Sequence, residues 1–153
     1  MHEERTKKII GCAMQVHRTL GNGFQEVIYQ RALEIEMQHA GLSTEREKEM
    51  EIFYRDQPIG KRRVDFFVEN CIMVELKAIT NLELFHLTQA RNYLEAYNMK
   101  IGLLINFGFT SLQFKRVYNN SLFQIRSYRE QSRQSFNPQN QGSDKCTSRR
   151  LPS

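Results

Sequence analysis

A chain of 153 residues with 40% hydrophobic and 25% charged residues has the size and composition of one soluble domain with its own hydrophobic core. No apolar run approaches the roughly 18 residues of a membrane span, and the charged start "MHEERTKKII" lacks the apolar segment and small-residue cleavage site of a secretory signal, so the expected location is the cytoplasm, with no membrane partner. The formal charge of +5 sits mostly at the far end, where Arg126, Arg129, Arg133, Lys145, Arg149 and Arg150 face only Glu130 and Asp144, so the first 118 residues are nearly neutral and the bulk charge does not by itself mark a nucleic-acid surface.

Ile9, Ala13, Val16 and Leu20 recur at the spacing of one helical face, and "GNG" (Gly21 to Gly23) ends that helix in a tight turn. A second helix is predicted from Phe24 to Ala40, with Ile28, Ala32 and Ile35 on its buried side. In "STEREKEMEIFY", Met50, Ile52 and Tyr54 alternate with Glu49, Glu51 and Phe53, the pattern of a half-buried strand. Pro58 and Gly60 in "RDQPIG" supply the expected turn.

"KRRVDFFVENCIMVELKA" reads as a hairpin. A loop of Glu69, Asn70 and Cys71 sets Val68 against Ile72, Phe66 against Val74 and Val64 against Leu76, which makes one side wholly apolar; a one-residue slip would exchange the faces. In that register Asp65 lies across from Glu75, and Arg63 across from Lys77, with Cβ atoms roughly 4.5–5.5 Å apart. "NLELFHLTQARNYLEAYNMK" is helical, with Leu84, Leu87, Leu94 and Tyr97 on one stripe and Gln89 and Tyr93 on another. "IGLLINFG" is a buried strand and "LQFKRVY" a further one. The order is therefore α-α-β-β-β-α-β-β, a domain over residues 1–127 followed by a disordered polar and basic tail over 128–153.

Two facing carboxylates repel unless a cation separates them, and burying them is costly without one. Oxygen ligands of this kind suit Mg²⁺, which takes one or two protein carboxylates together with waters and substrate phosphate. Asp65 and Glu75 are thus candidate metal ligands. Lys77 is placed to orient or deprotonate a water, or to offset charge on phosphate oxygens. Glu-x-Lys alone equally describes a structural ion pair; the parity-matched Asp65 turns the reading toward a metal site. Lys61 and Arg63 in "GKRR" are candidate phosphate contacts, with a solvated strand end as the plain alternative for Lys61 and Arg62. His17, His39 and His86 have no paired spacing, and Cys12, Cys71 and Cys146 are scattered in the manner of reduced thiols.

Asp65 followed by Glu75-Leu76-Lys77 on a hairpin resembles the signature of the PD-(D/E)XK nuclease superfamily. "GFQEVIY" (Gly23 to Tyr29) resembles the motif that names the GxxExxY proteins within it, and "QARNY" (Gln89 to Tyr93) the QxxxY motif of RecB-type members. Val64 stands where the superfamily name has proline. The resemblance covers residues 5–118 and implies an α/β fold: a restriction-endonuclease-like αβββαβ core, a mixed central sheet flanked by helices, with an extra N-terminal helix. It further implies a nuclease using Mg²⁺ or Mn²⁺ on a nucleic-acid partner, DNA rather than RNA. Glu26 would be a further metal ligand or supporting carboxylate, Gln89 would position Lys77 or the water, Tyr93 would contact nucleic acid, and Tyr29 would pack near the site. A homodimer, a binding module without turnover, and a phosphoesterase acting on small esters stay open at this point.

Overall fold

Helix α1 (His2–Leu20) carries Glu3 and Glu4 in its first turn and His17 and Arg18 in its last, which suits the helix dipole at both ends. The computed structural model describes residues 2–120, so the expected domain boundary at 127/128 and the polar tail lie outside the described residues. Ile9, Ala13 and Val16 of α1 are buried as their spacing requires, and Ile10 and Cys12 join them. Gly21, at φ +69°, stops the helix in the left-handed conformation that glycine adopts without a steric penalty.

Helix α2 (Glu26–His39) buries Tyr29, Gln30, Leu33 and Met37. The expected stripe of Ile28, Ala32 and Ile35 is corrected: Ile28 and Ile35 are exposed, and Ala32 is only partly packed. Both stripes satisfy the helical period. Tyr29, Leu33 and Met37 form the one that the core selects, and each is fully buried.

Strands β1 (Thr44–Tyr54) and β2 (Gln57–Val68) form a long antiparallel ribbon. Its turn is Arg55-Asp56, both left-handed at φ +47° and +61°, as a two-residue hairpin turn demands. Pro58 and Gly60, expected in the turn, lie inside β2 instead, and Pro58 pairs with Phe53 beside an irregularity after Ile52. Tyr54, expected half-buried, is exposed. The second hairpin matches expectation: Glu69 and Asn70 have positive φ, and Val68 pairs with Ile72 and Phe66 with Val74 on β3 (Ile72–Lys77).

Helix α3 (Leu84–Ala96) crosses over to β4 (Ile101–Asn106), which runs parallel to β3; β5 (Gln113–Tyr118) closes the edge antiparallel. Leu94 and Tyr97 are buried and Leu87 partly so, but Leu84 is 78% exposed and leaves the expected stripe. The sheet order β1-β2-β3-β4-β5 gives the expected mixed sheet flanked by helices. Phe66, Val68, Val74 and Leu76 share a core with α1 and α2, while Phe67, Met73 and Leu104 share the other with α3. Covered on both faces, β3 and β4 become near-continuous apolar runs, and each of their large side chains contributes about 1.5–3 kcal/mol by burial.

Candidate active site

The regular β1–β2 ladder is broken opposite the signature aspartate. Pairing passes from Arg46–Phe66 to Lys48–Val64, skipping Glu47 and Asp65, and Glu47 adopts φ +55°. A left-handed non-glycine residue in a strand marks a local kink. Its consequence is a change of face: Phe66 and Val68 pack toward α1 and α2, whereas Val64 joins the α3 side with Phe67. The expectation that Val64 faces Leu76 on one apolar side is therefore corrected, and with it the facing of Arg62 and Arg63 just before it on β2.

Arg62, not Arg63, is the cation turned toward Glu75. Its Nη2 donates to Glu75 Oε2 at 3.2 Å, and its guanidinium lies over the Tyr93 ring, 4.8 Å from the centroid. Tyr93 in turn stacks on Tyr97 at 6.2 Å. Arg63 is exposed and pairs with Glu49 across the ribbon. Lys61 is held by the same Glu49, at 2.8 Å. The two residues expected to meet phosphate thus lie on the outer surface of the ribbon.

At the kink, β2 and β3 are joined by a side chain. Asp65 Oδ2 accepts the Leu76 backbone N–H at 2.8 Å, and Oδ1 accepts Gln30 Nε2 at 3.0 Å. Asp65 thereby links α2, β2 and β3. Glu75 is 2% exposed, and its Oε1 is buried with no hydrogen-bond partner. Burial first, and then the charge of Asp65, push the Glu75 carboxyl up to about 7, against the opposing pull of Arg62 and Lys77. Burial likewise raises Asp65, with the Leu76 and Gln30 hydrogen bonds, Lys77 and Arg62 opposing it. Glu26 begins α2 at the solvent rim, yet crowding of its carboxyl by the protein and the charge of Asp65 hold its pKa above the usual range, with Lys77 opposing. The charge of Asp65 thus reaches both Glu26 and Glu75, and that of Lys77 reaches all three carboxyls.

Gln89 and Tyr93 stand one turn apart on α3, both half-buried. The hydrogen bonds at Asp65 and Glu75 come from Gln30, Leu76 and Arg62, and Gln89 makes none of them. Tyr29, fully buried, donates to the Gly21 carbonyl at 2.6 Å, accepts the Phe24 N–H at 3.2 Å, and stacks on Phe107 at 4.7 Å. It fixes the loop that delivers Glu26.

The segment after Lys77 is anchored from β4. Asn106, fully buried, bonds both the N–H and the carbonyl of Ile79, the Gly108 N–H and Gln113 Oε1. Gln113 continues to Leu82 and Asn81. A Cβ on Gly108 would collide with the Ile79 backbone, so only glycine permits that approach. Gln30, Arg62, Asn106 and Gln113 were not among the expected site residues. Gln30 was findable as the residue four after Glu26, on the same helical face, and Asn106 as a lone amide in an otherwise apolar run.

The donor set fits a small divalent cation. Among the described residues no group of three or more His, Cys, Asp and Glu side chains forms an all-protein metal cage, but Mg²⁺ needs only one or two carboxylates plus waters. Glu75 Oε1, buried and unpartnered, and the carboxyl of Asp65 would be the ones to supply them.

A sheet crossed by one helix, with paired acids and a lysine on its central strands, defines a nuclease-like architecture. Residues 3–117 match the PD-(D/E)XK nuclease superfamily, and the chain belongs to that superfamily. A solved structure described as "Crystal structure of SSO0001" shares the fold, with a TM-score of 0.51 at 20% identity over 75% of this chain. This chain spans 61% of the length of that one. No curated protein matches. No helix among the described residues is long and apolar enough to cross a membrane.

Proposed function

We propose that this protein is a metal-dependent nuclease that hydrolyses DNA phosphodiester bonds at the Asp65–Glu75–Lys77 site, and that it is of the GxxExxY kind. One observation carries the reading: the buried Glu75 carboxyl, its pKa raised by burial and by the charge of the half-buried Asp65, lies close to Lys77, and one of its oxygens, Oε1, has no partner. A structural ion pair would leave no such acceptor open.

Asp65 and Glu75 would hold Mg²⁺ or Mn²⁺, with Glu26 as a supporting carboxylate at the rim. The bound ion supplies positive charge for the phosphoryl oxygens and a more acidic water. Lys77 donates hydrogen bonds to the attacking water or to a non-bridging oxygen, holding either in line with the scissile bond. Gln89 orients Lys77 and the water from α3. Gln30 keeps the Asp65 carboxylate turned toward the metal position through the 3.0 Å bond to Oδ1. Lys61 and Arg63, on the outer face of the ribbon, add nonspecific attraction for the phosphate backbone, and Tyr93 acts at the edge of the substrate groove.

A second reading, a nucleic-acid-binding module on this fold without turnover, draws on the Arg62–Glu75 contact, which already neutralises one of the two acids. The test is cleavage of linear, circular and single-stranded DNA against divalent metal, with Lys77→Ala as control. Metal-dependent binding without product favours the second reading.

A further inference from the structure

The Arg62–Glu75 pair is incomplete in a specific way. A guanidinium meets a carboxylate best through two parallel bonds, yet a single bond forms here, at 3.2 Å. The two atoms that a second bond would use, Arg62 Nε as donor and Glu75 Oε1 as acceptor, are both buried and both unpartnered. An ion pair kept for stability alone would close on both, because each orphan costs free energy. The Tyr93 ring, 4.8 Å from the guanidinium, holds the arginine where it neutralises Glu75 without covering Oε1. Tyr97, stacked behind Tyr93, backs that ring.

Resting on the nuclease reading above, we propose that Arg62 is an exchangeable counter-ion: it neutralises Glu75 while the site is free of metal, yields the carboxylate to an incoming divalent cation, and then turns its freed N–H groups to the substrate phosphate. Tyr93 is the pivot. The face of the ring retains the guanidinium after the Glu75 contact is lost, so the charge stays beside the cleavage site. Arg62 is thus a metal competitor in the resting protein and a phosphate ligand in the loaded one. The two roles predict opposite effects of one substitution.

The test is calorimetric titration of the full chain with Mn²⁺ in the absence of substrate, alongside cleavage of a DNA duplex by the same samples. Arg62→Ala removes a unit charge in contact with a ligand carboxylate, so its Mn²⁺ affinity rises about tenfold or more, while its cleavage falls through a raised KM as well as a lowered kcat. Arg62→Gln, which keeps most of the side-chain bulk, reproduces the tighter binding if Arg62→Ala does not fold. Tyr93→Leu retains the competing charge and binds Mn²⁺ no more tightly than wild type. Unchanged or weaker Mn²⁺ binding in both Arg62 variants overturns the exchange, even if the wild type cleaves DNA. Tighter binding in those variants, with no cleavage by any form, upholds the exchange and overturns the nuclease reading. A wild type that binds no Mn²⁺ overturns both.

Discussion

The Asp65 carboxylate accepts the Leu76 backbone N–H at 2.8 Å, so a side chain takes over where the β2–β3 ladder ends at Phe66–Val74. Asp65 therefore has a structural duty separable from metal binding. Asp65→Ala strips an acceptor from Leu76 and from Gln30 and should cost about 1–3 kcal/mol of stability. Asp65→Asn keeps an oxygen for Leu76 and removes a charge facing Glu75; in chelator at pH 8 it should be at least as stable as wild type, yet fail to bind Mn²⁺. Urea unfolding and metal titration on both variants check this. An Asp65→Asn protein as unstable as Asp65→Ala would contradict it.

The raised Glu75 carboxyl makes the metal-free protein less stable as pH rises. Folded Glu75 titrates near 7 against an ordinary 4.5, so between these values the folded state binds more protons than the unfolded chain. The stabilising contribution is complete below about pH 4.5, is lost progressively toward pH 7, and amounts to something on the order of 3 kcal/mol. Asp65 and Glu26 shift in the same direction and add to the trend. Urea unfolding in chelator at pH 5 and pH 8 should show the drop in wild type and a much smaller one in Glu75→Gln. Parallel losses in the two proteins would remove Glu75 as the cause.

Tyr29 ties the α1–α2 loop to the core through Gly21 and Phe24. Tyr29→Phe keeps the stack on Phe107 but strands the Gly21 carbonyl and the Phe24 N–H, for a loss of about 1–2 kcal/mol. Denaturant midpoints at constant slope measure it, and an unchanged midpoint would show that the hydroxyl carries no load.

Much of this architecture is legible in the sequence. The order of the elements, the three-residue loop after Val68 and the inward set on α1 all follow from periodicity and parity, because β3 and β4 sit in regular surroundings with both faces covered. Parity fails where Glu47 turns left-handed: no glycine announces that kink, and the rule assumes an unbroken pleat, so it selects Arg63 where the fold uses Arg62. The α2 face is missed for another reason. Ile28, Ala32 and Ile35 compete with Tyr29, Leu33 and Met37 on equal periodic terms, and what separates them is tertiary: packing of the second set into the core with α1 and the sheet, and the bond from Tyr29 to Gly21 eight residues away in the chain. The Arg55-Asp56 turn carries no glycine and is passed over in favour of Pro58 and Gly60.

The most direct measurement is DNA cleavage by wild type and Lys77→Ala across Mg²⁺, Mn²⁺ and chelator, on linear, circular and single-stranded substrates. Wild type should cleave only with a divalent ion, and Lys77→Ala should fall by about 10²-fold or more while still binding the metal. Wild-type, chelator-sensitive cleavage by Lys77→Ala, or no metal-dependent cleavage of any substrate by the wild type, would contradict the assignment.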